Sequence, residues 1–106
     1  MDKHERILNL LGLARRAGQV VTGEGAVIKG LRAGQVHLIF LAADAGAATA
    51  KKVGDKAATF KAPVCRQYSR ATLSQAIGQS RSVIGIKQVG FANQFQKLLT
   101  TISEGE

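Results

Sequence analysis

The chain has 106 residues, of which 45% are hydrophobic, so a single domain spanning residues 1–106 is expected. This composition excludes a disordered chain, and its apolar runs fall far short of the roughly 20 residues that span a bilayer. Fifteen lysines and arginines face seven acidic residues, which gives a formal net charge of +8. The one cysteine, Cys65, excludes an intrachain disulfide and favours a reducing compartment, which we expect to be the cytoplasm.

Hydrophobic residues at helical spacing alternate with short apolar runs along the chain. Helical signals cover residues 3–17, 23–33, 46–59, 69–77 and 90–102. Strand signals cover residues 19–21, 36–42, 64–67 and 82–87. This alternation predicts an α/β fold, a three-layer α/β/α sandwich around a small mixed sheet of about four strands.

Several positions predict where elements begin and end. Ser69 or Thr72 is expected to cap the helix over residues 69–77, which should end at Gly78. Arg15 and Arg16 followed by Gly18 are typical of a helix end, where cations precede a glycine stop. The run over residues 36–42 is nearly all apolar, which predicts a strand buried on both faces. Asp44 follows that run and is expected to cap the helix over residues 46–59, whose inward stripe should include Phe60.

The distribution of charge is more informative than its sum. Between Lys56 and Ser103 the chain has seven basic residues and no acidic one. Such a field favours polyanionic partners, although a merely solvated basic surface remains an alternative. The cations are scattered over several predicted elements and do not line one helix face, which disfavours a membrane surface as the partner. Aromatic residues are few, which also disfavours a base-stacking sheet.

The glycine-rich segment over residues 18–30 allows several interpretations. A phosphate-binding P-loop is disfavoured because Glu24 stands where a lysine is required. A dinucleotide fingerprint is disfavoured because Ile28 stands where its third glycine should be. The third interpretation is a helix start offering free N–H groups to a nucleic-acid backbone, with Lys29 and Arg32 further along the helix. A tight turn that merely caps a helix remains the plain alternative.

The sequence gives little sign of catalysis, and we expect neither an enzyme nor a metal or other cofactor. Asp44 follows a strand, where α/β enzymes place their acids, but no second carboxylate accompanies it at a motif spacing. Cys65 is expected to be a small buried hydrophobe, and His4 and His37 to be surface or edge residues. An enzyme acting on a nucleotide or an acidic metabolite is therefore disfavoured.

Four segments together resemble a known family. They are Gly-Leu-Ala-Arg-Arg-Ala-Gly (12–18), Thr-Gly-Glu-Gly-Ala-Val-Ile-Lys (22–29), Leu-Ile-Phe-Leu-Ala-Ala-Asp (38–44) and Leu-Ser-Gln-Ala-Ile-Gly-Gln-Ser-Arg-Ser-Val (73–83). Their order and spacing resemble the kink-turn RNA-binding ribosomal proteins of the L7Ae, L30e and S12e superfamily, and within it the small bacterial YlxQ-like branch. The resemblance covers about residues 5 to 100 and implies the same three-layer α/β/α fold.

The resemblance also implies an RNA-facing motif at the start of the second helix, with Gly23 and Lys29 at its glycine and lysine positions. Gly25 and Ala26 stand where the family has an asparagine and a glutamate that contact sheared purine pairs of the kink-turn. Neither can hydrogen-bond through its side chain, and each lost base contact removes roughly 1–3 kcal/mol of discrimination. Glu24 lies nearby and is expected to substitute for them in part as an RNA-binding residue, although its register differs by one or two residues. RNA binding is thus implied more strongly than kink-turn specificity.

A second contact implied by the family lies in the loop before the last strand. Here Arg81 and Ser82 are expected to reach phosphate, and Val83 to pack against a sugar or base. Arg15 and Arg16 would flank the same surface. If these segments form one interface, Arg15, Lys29 and Arg81 should face one side of the molecule.

The sequence thus predicts a non-enzymatic protein that binds structured RNA, expected to be ribosomal RNA, with ribosomal proteins as possible neighbours. Neither a membrane nor a small-molecule substrate is expected as a partner. The alternative is a protein–protein interaction module that docks on ribosomal or transcription machinery without reading RNA directly. The loss of the family's asparagine and glutamate keeps this alternative open.

Overall fold

The computed structural model describes the backbone of residues 2–105 and the side chains of residues 2–100. The described helices are α1 (Lys3–Arg16), α2 (Glu24–Arg32), α3 (Ala47–Thr59), α4 (Arg70–Ile77) and α5 (Val89–Gly105). The strands are β1 (Val20–Thr22), β2 (Leu38–Leu41), β3 (Val64–Cys65) and β4 (Val83–Ile86). The predicted order of elements is confirmed, with most boundaries shifted by one to three residues as hydrogen bonding trims the ends.

The four strands form one mixed sheet in the order β1-β4-β2-β3. Strand β4 is antiparallel to both β1 and β2, whereas β3 is parallel to β2. Thr22 therefore pairs with Ile84 and Leu41 with Val83. The carboxyl ends of β1, β2 and β3 consequently lie at the same edge as the start of β4, which we call the upper edge of the sheet.

The sheet is covered by helices on both faces because the two central strands are buried on both sides. Side chains alternate along β2, so that Leu38 and Phe40 face one layer while Ile39 and Leu41 face the other. Helices α1, α4 and α5 cover the first face, and α2 and α3 cover the second. The predicted three-layer α/β/α sandwich is confirmed.

Helix α2 packs closely against Val36, in the chain leading into β2, because Gly30 has no side chain. A Cβ at Gly30 would lie 2.5 Å from Cγ2 of Val36, and one at Gly85 would lie 3.1 Å from Cγ2 of Val21. Val36 is β-branched and has little rotamer freedom with which to move aside. This close approach fixes the position of α2, and with it the start of that helix.

Several boundary predictions are confirmed. Arg15 and Arg16 form the last turn of α1, and Gly18 adopts a left-handed conformation with φ of 72°. The Ser69 side chain caps α4 by accepting from the Thr72 N–H, and α4 ends at the left-handed Gly78. Cys65 is buried, as expected. His4 and His37 are half-buried, and Nδ1 of His4 lies 2.9 Å from the Tyr68 hydroxyl.

Two predictions about α3 are wrong. Its N-cap is Gly46, without a side-chain cap, whereas Asp44 Oδ1 accepts a 2.8 Å hydrogen bond from the N–H of Arg70, the first residue of α4. Because β2 and β3 are paired, the loops that follow these two strands lie side by side. The Ala43 N–H in the first loop donates to the Tyr68 carbonyl in the second. Phe60 is 42% exposed because it is the C-cap of α3 and no longer follows the phase of the helix. Asp44 therefore does cap a helix, but a different one.

Within the described residues, no helix combines the length and hydropathy that crossing a bilayer requires.

Candidate nucleic-acid interface

The start of α2 is an uncapped helix terminus held at the upper edge of the sheet. Gly23, its N-cap, has φ of 94° and ψ of 152°, a conformation that side chains strongly disfavour. Its N–H donates a 2.9 Å hydrogen bond to the carbonyl of Val83. No side chain caps the N–H groups of the first turn, so they remain suited to an external acceptor.

The loop over residues 78–82 lies against this helix start. Oγ of Ser74 accepts from the N–H of Arg81 at 3.0 Å and donates to its carbonyl at 3.2 Å, which ties the loop to α4. Nε of Arg81 donates a 3.2 Å hydrogen bond to Oγ1 of Thr22, the residue before Gly23. The structure thus brings together Gly23, Arg81 and Ser82, which the sequence predicted in two separate segments.

Arg70 is a member of this region that the sequence analysis missed. Its guanidinium donates to the hydroxyls of Ser80, at 2.9 Å, and of Ser82. The Ser-Arg-Ser pattern over residues 80–82 was a sign of a loop with hydroxyl acceptors, but nothing local identified α4 as the source of the donor. Arg70 and Arg81 therefore place two guanidinium groups at the same loop.

Helix α2 carries a basic stripe on its exposed side. Gly25, Lys29 and Arg32 are exposed and follow at helical spacing, so they share one face of the helix. Within the described part of the chain, the side chains of Lys29 and Arg32 make no hydrogen bond or ion pair. We call the group formed by this stripe, Gly23, Arg81 and Ser82 the α2–loop surface.

The Glu24 side chain is directed to α3 and is held there by two partners. Its Oε2 lies 3.2 Å from Nζ of Lys52, and Thr49 also hydrogen-bonds to the carboxylate. The hydrogen bond from Thr49, with a smaller contribution from Lys52, lowers the pKa of Glu24. The carboxylate is thus ionised, and a lysine partly neutralises the repulsion it would exert on a phosphate.

Val83 corrects the sequence analysis, because its side chain is 2% exposed. It packs in the core layer between the sheet and helices α2 and α3, so it does not present a surface to a sugar or base. Alternation along β4 explains this placement, since Val83 and Gly85 share the face that α2 covers. Its contribution to the α2–loop surface is the carbonyl that holds Gly23.

Arg15 and Arg16 are exposed but lie at the other end of β1 from Gly23. The carbonyl of Ala14 accepts from Gln19, whose own carbonyl accepts from Lys87 below the end of β4. Strand β1 has three residues, so roughly 10 Å of strand separates the end of α1 from the start of α2. The structure does not join these two arginines to the α2–loop surface by any hydrogen bond among the described residues.

The chain matches one family model over residues 5–96, that of the ribosomal protein L7Ae/L30e/S12e/Gadd45 family. This match includes both the α2 start and the 78–82 loop. The chain belongs to this family.

The chain is also similar to two known proteins over most of its length. The chain is 46% identical to the RNA-binding protein YlxQ of Bacillus subtilis (strain 168), over 85% of this chain and 91% of that protein. It is 39% identical to the RNA-binding protein YlxQ of Enterococcus faecium, over 90% and 92% of the two chains.

Two solved structures have a similar fold. A protein of unknown function from Bacillus halodurans C has a TM-score of 0.85 and 44% identity, over 89% of this chain and 96% of that one. A 15.5 kD RNA-binding protein of Giardia lamblia has a TM-score of 0.77, over 98% of this chain and 90% of that one. At 17% identity, the second likeness concerns the fold alone.

The described residues offer no metal site, since no three His, Cys, Asp or Glu side chains are grouped suitably among them. The chemistry available at the α2–loop surface is that of hydrogen-bond donors. They are backbone N–H groups, guanidinium groups, an ammonium group and serine hydroxyls, all of which suit an extended anion.

Proposed function

We propose that this protein binds structured RNA through the α2–loop surface and catalyses no reaction. The observation that carries the proposal is the pair of contacts joining Gly23 to Val83 and Arg81 to Thr22. These contacts hold an uncapped helix start beside a basic loop, so that both can contact one RNA strand. The two relatives named as RNA-binding proteins support the same conclusion.

Phosphate contacts provide most of the affinity in this proposal. The first-turn N–H groups of α2 approach the backbone closely because Gly25 has open space around its Cα. Lys29, Arg32 and Arg81 neutralise nearby phosphates, and Arg15 and Arg16, at the other end of β1, add to the long-range positive field. Sequence readout is weak, because Gly25 and Ala26 offer no side-chain donor or acceptor to a base edge. The RNA is recognised by the bend of its backbone more than by its bases.

The RNA is ribosomal in this proposal, and the protein works in the cytoplasm beside ribosomal proteins. A kink-turn brings phosphates of both strands close together, which suits a compact basic surface between α2 and a loop. The buried thiol of Cys65 is consistent with a reducing compartment. A protein–protein module without RNA contact remains the competing proposal, and the binding experiment below separates the two.

The test is a titration of the purified protein against a kink-turn RNA and a straight duplex of the same length over a range of salt concentrations. Neutralising about five phosphates predicts a logarithmic salt slope of roughly −4. Both RNAs should bind, and the kink-turn should be preferred by less than the roughly thirtyfold that two base contacts of about 1 kcal/mol each, the low end of their range, would give. Affinity that does not change with salt would overturn the proposal.

A matched pair of variants locates the surface. Lys29→Gln should weaken binding severalfold and reduce the magnitude of the salt slope by about 0.9, because one phosphate contact is lost. Lys61→Gln removes the same charge from the chain just before β3, at the lower end of the sheet, and should leave both quantities nearly unchanged. Equal effects of the two substitutions would show that the net charge alone attracts RNA and that α2 is not the contact.

A further inference from the structure

A groove between α1 and α5 lies outside the surface proposed for RNA. It has a volume of about 400 Å³, and its floor consists of Leu10, Leu13 and Leu98. Leu13 is 50% exposed, although it belongs to the Gly-Leu-Ala-Arg-Arg-Ala-Gly segment that the proposed RNA contacts use only through its arginines. Leu13 is contiguous with the partly exposed Leu10 and Leu98, and the three leucines form an apolar patch that a partner can contact.

The rim of this α1–α5 groove is basic and polar. Arg6 and Lys97 stand on its two sides with Asn9 and Gln94, and no acidic side chain lines it among the described residues. The guanidinium of Arg6 makes no hydrogen bond or ion pair with any described residue. The groove therefore offers apolar contact in the middle and positive charge at the edge.

We infer that the α1–α5 groove docks an acidic amphipathic helix of a partner protein. A helix with leucine-like residues at i, i+3 or i+4 and i+7 would place its apolar side on Leu10, Leu13 and Leu98. An acidic residue beside that stripe would face Arg6, which is unpaired among the described residues, and this contact would orient the helix. The charge of Lys97, which already has a partner, would add to the field that speeds the encounter. The partner class follows from the charge of the rim, since a basic helix would be repelled by it.

Two other occupants fit this groove less well. An RNA strand would leave the leucine floor without apolar partners, because phosphates and sugars contact proteins mainly through polar groups. A second copy of the chain would place Arg6 and Lys97 against the same cations, on a molecule of net charge +8. The groove also lies on the α1, α4 and α5 face of the sheet, whereas α2 covers the other face. The partner helix and RNA can therefore be bound together.

The experiment uses a fluorescent synthetic helical peptide with leucines on one face and glutamates beside them, titrated with the full chain. A peptide of the same composition, scrambled so that the leucines no longer share a face, is the control. We expect a Kd below about 100 µM for the first peptide and at least tenfold weaker binding of the second. Amide shifts measured by NMR should cluster on α1 and α5.

Matched variants assign the binding to the groove. Leu13→Glu and Arg6→Glu should each weaken peptide binding about tenfold, while RNA affinity of Leu13→Glu stays within about twofold of wild type. Val89→Glu introduces the same charge at another exposed aliphatic side chain, 54% exposed at the start of α5, and Lys61→Glu reverses a distant charge. Neither control should change peptide binding. Retained RNA binding by Leu13→Glu also shows that the variant folds.

Four results would overturn the inference. The first is that the designed peptide does not bind, and the second is that the scrambled peptide binds equally well. The third is that RNA competes with the peptide and that Leu13→Glu also loses RNA affinity. The fourth is that the chain forms a dimer which Leu13→Glu abolishes. The third would assign the groove to RNA and the fourth to a second copy of the chain. None of them depends on the salt slope or the Lys29 variant, so the proposed RNA function stands or falls separately.

Discussion

Arg81 donates through Nε to Oγ1 of Thr22 at 3.2 Å, although 59 residues separate them in the chain. This hydrogen bond crosses from the loop before β4 to the end of β1, directly before the helix start at Gly23. Because β1 and β4 pair with Thr22 opposite Ile84, the sheet register brings the two segments to the same edge. One guanidinium thus connects the loop with the α2 start through Nε, while its Nη1 donates to the Ser80 carbonyl at 2.7 Å.

Removing the Arg81 side chain should weaken RNA binding more than removing the Thr22 hydroxyl that accepts its hydrogen bond. We expect Arg81→Ala to weaken RNA binding about tenfold, the value of one charge-assisted contact, and to reduce the magnitude of the salt slope by about 0.9. Thr22→Val removes the hydroxyl but keeps the charge, so it should weaken binding less and leave the slope unchanged. Filter binding at several salt concentrations measures both. A slope unaffected by Arg81→Ala would show that the guanidinium does not contact phosphate.

Two neighbouring glycines should respond in opposite directions to alanine. Gly23→Ala forces a side chain into φ of 94° and should lower the free energy of unfolding by about 1–3 kcal/mol. Gly25 has a helical conformation and nothing within 4 Å of an added Cβ, so Gly25→Ala should stabilise the protein by up to about 1 kcal/mol. Urea denaturation measures the two changes.

The Gly25 substitution also tests the close approach of RNA. Since the added methyl group would lie between the first turn of α2 and the RNA backbone, Gly25→Ala should weaken RNA binding severalfold while it stabilises the fold. A variant that is more stable and binds equally well would contradict the proposed approach. Gly54→Ala is a suitable control, because Gly54 is inside α3 and also has open space around it.

Asp44 should act in stability and not in chemistry. Asp44→Ala removes the acceptor from the N–H of Arg70 and a negative charge from the start of α4, so unfolding should become easier by about 1 kcal/mol. Asp55→Ala breaks only an exposed ion pair with Lys51 on α3 and should cost about 0.5 kcal/mol or less. Thermal or urea unfolding of both variants checks the difference. Equal losses of unfolding free energy in the two variants would contradict the capping role of Asp44 at α4.

Cys65 gives a dependence of stability on pH. Burial raises the pKa of its thiol, so the folded protein holds the proton more tightly than the unfolded chain, whose thiol has a pKa of about 8.5. The corresponding stability is complete below that value and is lost as pH rises above it. The stability of wild type relative to Cys65→Ala should therefore decrease between neutral and alkaline pH. A difference that is the same at both pH values would contradict this.

The sequence by itself determined which segments form helices and strands and that these pack in three layers. The apolar run over residues 36–42 and the helical spacing of residues 3–17 or 90–102 are local patterns, and burial on two faces or one follows from them directly. The cap at Ser69 and the stop at Gly78 were likewise readable, because capping depends on residues within one turn. The fold class rested on these signals, and the family resemblance rested on the order and spacing of four segments of the chain.

Only the tertiary structure decided which partner each polar side chain has. Asp44 caps α4 instead of α3, and Glu24 is engaged by Lys52, because sheet pairing and helix packing set distances that sequence separation does not. Strand alternation turned Val83 into the core, and strand length placed Arg15 and Arg16 away from Gly23. The role of Arg70 could not be predicted from its sequence neighbours, since the serines to which it donates follow at the other end of α4. Periodicity is a local property, whereas a binding surface depends on contacts between distant segments.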